Sequence, residues 1–208
     1  MIRRIYNDNP SEKELDAAVD ILRGGGVIIY PTDTLYAIGC DALNVRAVER
    51  VCEIKGCNPD KKCLSIICSG FSDLSNYVKI DNALFKMMKR NIPGPFTFIL
   101  PATTSLPKIY KNRREVGIRV PDNEIALELV RRLGNPILST SVRRDGEEED
   151  EYITDPELLD ERFGRLVDLV IDAGYGSATP STVVNCLTGE PEIIRQGKGE
   201  LITKKSGR

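Results

Sequence analysis

Short apolar runs bounded by turn residues recur along this chain, and segments of helical period lie between most of them. Val27-Ile28-Ile29-Tyr30 stops at Pro31, Ile137–Ser141 follows Gly134, and Leu169–Asp172 precedes Gly174. Runs of branched residues without polar alternation read as strands buried on both faces, and such strands need a sheet covered by helices. Leu64–Cys68, Thr97–Leu100, Val116–Val120, Thr182–Cys186 and Glu192–Arg195 complete the expected strands. The helices carry their own signals. Ser11-x-x-Glu14 has the form of a capping box ahead of Leu15, Ala18, Val19 and Leu22, and Gly24-Gly25-Gly26 stops that helix. Asn44 precedes a helix with Ala47, Val48, Val51 and Ile54 on one face. Asp81 starts another through Phe85 and Met88, Ile125–Leu133 ends at Gly134, and Asp155–Phe163 follows an acidic run. Several consecutive strands have no helix between them, so the sheet is mixed. The expectation is one α/β domain spanning residues 1–208, with three layers around a twisted mixed sheet of about seven strands. The least ordered stretch is expected at 143–153, and a basic tail at 201–208.

Composition narrows the chemistry. The 208 residues include no histidine, which excludes a Ser-His-Asp triad, a Cys-His dyad, an HExxH zinc site and a histidine phosphorelay. Catalysis here would rest on carboxylates, lysine, arginine, hydroxyls, thiols or backbone amides. Neither a Walker A motif nor G-x-G-x-x-G occurs. The six cysteines, at 40, 52, 57, 63, 68 and 186, contain no C-x-x-C pair. They read as free thiols of a reducing, cytoplasmic setting, and no protein-bound metal is expected. No apolar run approaches the roughly 18 residues of a membrane span, and Met1–Asp8 lacks the apolar core of a signal peptide. No membrane partner is expected. Residues 51–119 carry 12 Lys+Arg against 5 Asp+Glu, whereas residues 120–175 carry 6 against 15. The basic excess surrounds the polar clusters described next, which points to an anionic ligand.

Four polar clusters follow or end expected strands, where ligands gather in open α/β sheets. The first is Pro31-Thr32-Asp33-Thr34, whose hydroxyls either orient a small polar ligand or only satisfy a local turn. The second runs from Lys55-Gly56-Cys57 to Lys61-Lys62, a helix end followed by a lysine-rich loop. The third is Ser139-Thr140-Ser141, followed by Arg143-Arg144; its hydroxyls suit phosphate oxygens or a ribose. The fourth combines Gly174-Tyr175-Gly176-Ser177, Pro180-Ser181-Thr182 and Arg195-Gln196-Gly197, where Arg195 ends the last strand and can reach an anion.

In order along the chain come Gly26–Thr34 with Tyr36, Lys55-Gly56, Pro93-Gly94-Pro95-Phe96-Thr97, Val116–Pro121, Ser139-Thr140-Ser141, Ser181–Val184 and Ile194-Arg195-Gln196-Gly197. Together these segments resemble the YrdC family, the threonylcarbamoyl-AMP synthase domain, over about residues 11–200. The version with Ser-Thr-Ser is similar to its YciO-type subgroup. The resemblance implies a twisted mixed sheet with a basic concave face. It also implies a reaction in which L-threonine, bicarbonate or CO2, and ATP with Mg2+ give threonylcarbamoyl-AMP and pyrophosphate. A downstream threonylcarbamoyl transferase would then place the group on tRNA. The implied threonine-binding residues are Thr32, Thr34, Arg119, Ser139 and Ser181, and the implied ATP-binding residues are Lys55, Lys61, Ser141 and Arg195. Lys55 and Arg119 would be the catalytic cations. Two positions depart from the family signature: Cys57 stands where an arginine is usual, and Ser141 where an asparagine is usual. Two other readings fit the same residues. One is a tRNA- or double-stranded-RNA-binding protein of this fold without synthase activity. The other is a related enzyme acting on a different amine or nucleotide.

Overall fold

The structure, a computed structural model, describes residues 1–58, 64–111, 114–143 and 152–203. In chain order the strands are β1 (Ile2–Arg4), β2 (Ile28–Tyr30), β3 (Ala37–Asp41), β4 (Ser65–Ile67), β5 (Phe96–Pro101), β6 (Glu115–Arg119), β7 (Ile137–Ser141), β8 (Leu169–Asp172), β9 (Thr182–Asn185) and β10 (Glu192–Arg195). They form one mixed sheet in the order β1-β8-β2-β3-β7-β4-β6-β5-β9-β10. β8 is parallel to β1 and β2, β4 to β6, and β5 to β9; the other neighbours are antiparallel. The helices are α1 (Glu12–Arg23), α2 (Val45–Lys55), α3 (Phe71–Leu74), α4 (Asn82–Met88), α5 (Lys108–Lys111), α6 (Glu124–Leu133) and α7 (Pro156–Phe163).

The side-chain period of two sorts the central strands into two cores. Ile28, Tyr30, Ile137, Leu169 and Ile171 pack with Leu15, Val19 and Leu22 of α1 and Ile125, Leu129 and Leu133 of α6. Val27, Ile29, Leu138 and Val170 turn the other way, onto Val48, Val51 and Ile54 of α2, Met87 and Met88 of α4, and Leu159 and Phe163 of α7. This is the three-layer α/β arrangement read from the sequence. An ion pair between Arg132 and Asp16 at 2.7 Å links α6 to α1.

The sheet has ten strands, more than the seven or so expected. β1 is only three residues long, and its pattern is too short to register. β3 was hidden by its glycine, which reads as a breaker. A Cβ on Gly39 would lie 2.1 Å from the Leu138 carbonyl oxygen and 2.9 Å from the Tyr30 ring, so here the glycine is what lets β3 seat against β7. The four-residue helices α3 and α5 also escaped the pattern. The expected capping box does not form: Ser11 occupies the N-cap of α1, but its side chain makes no capping bond, and Glu14 accepts from Arg3. Asn44, Asp81, Asn123 and Asp155 do cap their helices, accepting from Ala47, Leu84, Ala126 and Glu157 N–H groups. Gly56 and Gly134 close α2 and α6 in the left-handed conformation, at φ of 71° and 78°. Among the described residues no helix is long and apolar enough to cross a membrane. The acidic run at 147–151 and the tail beyond residue 203 lie outside the described residues.

Gly39→Ala is expected to lose about 1–3 kcal/mol through overpacking between β3 and β7. Asn44→Ala, which only removes a cap, should lose about 1 kcal/mol. Urea denaturation of the two variants beside the parent protein measures both, and equal losses would contradict the steric account of β3.

Candidate functional site

The main cavity, about 260 Å³, opens where the layer formed by α1 and α6 stops. On one face of the sheet, Ile67 of β4 lies opposite Ile137 of β7, and one pleat further on Ser65 lies opposite Ser139. The two isoleucines are buried with α1 and α6, whereas the two serines line the cavity, whose lining includes no residue of either helix. The adjoining strands carry glycine in the same cross-strand row: Gly39 faces Ser139 and Gly117 faces Ser65. A Cβ on Gly117 would come within 2.4 Å of Ser65 Oγ and 3.1 Å of Thr97 Cγ2. Ser65 and Ser139 thus bring short hydroxyl side chains to the cavity, and the glycines beside them let the neighbouring strands pack closely.

Cations and hydroxyls converge on that hollow. Lys55 at the end of α2, Arg119 at the end of β6, Arg143 after β7 and Arg195 at the end of β10 all line it, together with Thr34, Thr97, Ser139, Ser141 and Ser181. Among the described residues no aspartate or glutamate lines it, so this part of the wall suits an anion. Seven residues singled out by sequence thus share one cavity: Lys55, Thr34, Arg119, Ser139, Ser141, Ser181 and Arg195. Lys61 lies outside the described residues. Thr32 sits behind the wall and lines a neighbouring cavity of about 290 Å³ with Asp33, Asp122, Asn123 and Lys198.

The Pro31–Thr34 segment acts as a clamp on Arg119. Arg119 Nη2 donates to Asp33 Oδ1 at 3.0 Å and to Thr34 Oγ1 at 2.9 Å. Thr32 Oγ1 donates to the Leu35 carbonyl at 2.7 Å. With that proton committed, the 3.1 Å contact between the two threonine hydroxyls runs from Thr34 to Thr32. Asp33 Oδ2 accepts from the Asp122 N–H at 3.1 Å, and Lys198 Nζ donates to the Asp33 carbonyl at 2.7 Å. The Asp33 and Arg119 side chains are only 8% and 10% exposed. Arg119 Nε is buried with no partner.

On the opposite wall Lys55 Nζ donates to the Ser141 carbonyl at 3.1 Å and the Arg143 carbonyl at 2.8 Å. Ser181 Oγ lies 2.8 Å from Thr97 Oγ1, while Arg195 Nη2 donates to the Ser181 carbonyl at 2.8 Å. The Thr182 hydroxyl donates to the Gly199 carbonyl at 2.6 Å and accepts from the Gly197 and Gly199 N–H groups, which holds the last loop against the sheet. Burial pushes the Cys52 thiol up to about 12, with Cys57 as the next contributor, so it stays protonated at neutral pH and is no nucleophile. Burial likewise raises the Tyr36 phenol to about 12, and its hydroxyl is fixed between the Gly174 carbonyl and the Ala173 N–H.

Sequence reasoning missed Ser65, Tyr152 and the clamping role of Asp33. Ser65 is the polar residue next to Leu64 and ahead of Ile66, a signal present but discounted inside an apolar run. Tyr152 follows an acidic stretch and carries no local signal. Asp33 finds its partner across 86 positions of sequence.

The Sua5/YciO/YrdC family model, described as telomere recombination, matches residues 20–197. The Uncharacterized protein YciO of Escherichia coli (strain K12) is 41% identical over 95% of both chains. The crystal structure of E. coli YciO gives a TM-score of 0.89 over 96% of this chain and 97% of that one. The Threonylcarbamoyl-AMP synthase of Enterobacter sp. (strain 638) is 34% identical over 92% of this chain and 100% of its own. The structure of P. abyssi Sua5 complexed with L-threonine gives a TM-score of 0.85 at 29% identity, over 95% of this chain and 57% of that one. The chain belongs to the Sua5/YciO/YrdC family.

Removing the Asp33 carboxylate leaves a buried guanidinium without its counter-charge. Asp33→Ala is expected to cost about 3–5 kcal/mol of stability, against about 1 kcal/mol for Thr34→Ala, which removes one hydrogen bond. Denaturation at neutral pH measures both, and a small loss for Asp33→Ala would show that the pair does not anchor the site.

Proposed function

We propose that this member of the Sua5/YciO/YrdC family is an L-threonylcarbamoyl-AMP synthase. It would join L-threonine, bicarbonate or CO2, and ATP into threonylcarbamoyl-AMP, with release of pyrophosphate. The observation that carries this reading is the convergence of Lys55, Arg119, Arg195 and a set of hydroxyls on one cavity, with no carboxylate among its described lining residues. Relatives named for this activity and a relative complexed with L-threonine support it.

In this reading the threonine carboxylate meets Arg119, whose Nε–H has no partner among the described residues. Thr34, Ser139 and Ser181 orient the amino acid. The threonine amine adds to CO2 and loses a proton, which gives a carbamate. A carbamate oxygen then attacks the α-phosphorus, the bond to the bridging oxygen breaks, and pyrophosphate leaves. Lys55, Ser141 and Arg195 hold the phosphates and offset the charge that accumulates on them. Transfer to phosphorus depends on positioning and charge stabilisation more than on a side-chain base, and this suits a chain without histidine. Magnesium would enter on the nucleotide's own oxygens, since the wall offers hydroxyls and carbonyls rather than carboxylates. The product would pass to a transferase acting on tRNA, in a cytoplasmic setting.

Purified protein given L-threonine, bicarbonate, ATP and Mg2+ is expected to release pyrophosphate only when threonine is present. Arg119→Met should lower the rate by about 100-fold or more, the scale for removing a charged contact in such a site. Release without threonine would point to a different amine, and salt-sensitive RNA binding with no release would replace the synthase reading by the RNA-binding one.

A further inference from the structure

The four cations of the main cavity differ in how their donors are used. Arg119 is paired with Asp33. Lys55 donates to the Ser141 and Arg143 carbonyls, and Arg195 donates to the Ser181 carbonyl. Arg143 is held in another way. Its guanidinium lies over the Tyr152 ring, 5.2 Å from the centroid. Both residues line the cavity. Arg143 Nη1 is buried with no hydrogen-bond partner, and among the described residues no carboxylate pairs with this side chain.

Stacking on a ring engages the face of a guanidinium and leaves its edge N–H groups unused. A buried cationic N–H without an acceptor is unfavourable unless a ligand supplies the acceptor. The backbone at this point is also fixed, because Lys55 Nζ donates to the Arg143 carbonyl at 2.8 Å. One lysine therefore fixes the backbone from which this arginine projects. Cys57, two residues after Lys55, brings a thiol and no charge to the same wall.

We propose that Arg143, held over the Tyr152 ring, is a polyphosphate-binding residue that donates through Nη1 to a phosphate oxygen of the nucleotide. The assignment of that anion to a nucleotide rests on the synthase reading above. A phosphate oxygen accepts from the guanidinium edge in a cavity that also holds the Lys55 charge, and a polyphosphate carries more charge than bicarbonate or the threonine carboxylate, which are planar and singly charged. The charge of Arg143 and Lys55 together therefore favours the most highly charged part of the ligand. It also adds a phosphate-binding guanidinium at the end of β7 to that of Arg195 at the end of β10.

Calorimetric titration of the full chain with ATP, inorganic tripolyphosphate and L-threonine tests this. Arg143→Gln is expected to weaken ATP and tripolyphosphate binding by about 10–100-fold, with L-threonine affinity unchanged. Arg143→Lys should fall between the two, because it keeps the charge and loses the planar edge. Tyr152→Leu should weaken the polyphosphates without changing any charge, and its thermal melting curve, like that of Arg143→Gln, checks the fold. Unchanged polyphosphate affinity in Arg143→Gln would overturn the proposal, as would a loss shared equally with L-threonine or a parent protein that binds neither ATP nor tripolyphosphate. If the parent protein binds tripolyphosphate but not ATP, and Arg143→Gln loses it, the role of Arg143 holds and the nucleotide reading fails. If the parent protein binds ATP and Arg143→Gln binds it as well, the nucleotide reading holds and the role of Arg143 fails.

Discussion

The buried ion pair between Asp33 and Arg119 is the point through which distant parts of this fold are tied to one cavity. Asp33 belongs to the loop between β2 and β3, and Arg119 ends β6, four places away in the sheet. The same aspartate takes an N–H from Asp122 and, through its carbonyl, the ammonium of Lys198 near the C-terminus. A carboxylate this buried persists only if its oxygens are matched. Matching them here fixes the entry to α6 and the end of β6 together, and the backbone carbonyl of the same residue holds the last loop. The cost of placing a charge in the interior is thereby converted into position. A guanidinium that could sweep several ångströms on a flexible side chain is instead held at Nη2, with Nε left for a ligand.

The cavity floor depends on small side chains in one cross-strand row. Ser65 and Ser139 line it with hydroxyls, and Gly39 and Gly117 on either side let the strands pack closely against them. An apolar row would draw a helix over it, as Ile67 and Ile137 do one pleat away. A row of hydroxyls and hydrogens does not. The same substitution pattern thus ends the helical cover and supplies the polar floor.

The sequence disclosed the layers more readily than the site. Strands such as Leu169–Asp172 are buried on both faces, and continuous apolar runs are readable without tertiary information. β3 was not, because Gly39 is unfavourable in an isolated strand and becomes necessary only when β7 lies against it. The capping box at Ser11 shows the converse, a good local motif whose side-chain bond the fold does not use. Within the site, residue types at strand ends were legible, since Thr34, Ser139, Ser181 and Arg195 each stand out beside an apolar run. Their partners were not. Nothing local in the sequence links Asp33 to Arg119, Thr97 to Ser181 or Arg143 to Tyr152, because each pair is made by topology.

The chemical character of the cavity follows from the side chains that the fold leaves there. Among the described residues its lining has no carboxylate, and burial holds the Cys52 thiol and the Tyr36 phenol near 12. Neither of those two groups can exchange protons readily at neutral pH. The wall is dominated by fixed positive charge and hydroxyl dipoles, arranged before any ligand arrives. Such a wall lowers a barrier only where negative charge shifts between oxygens during reaction, since that is the quantity it is built to stabilise. Displacement at phosphorus, with charge moving onto a polyphosphate leaving group, is a reaction of this kind.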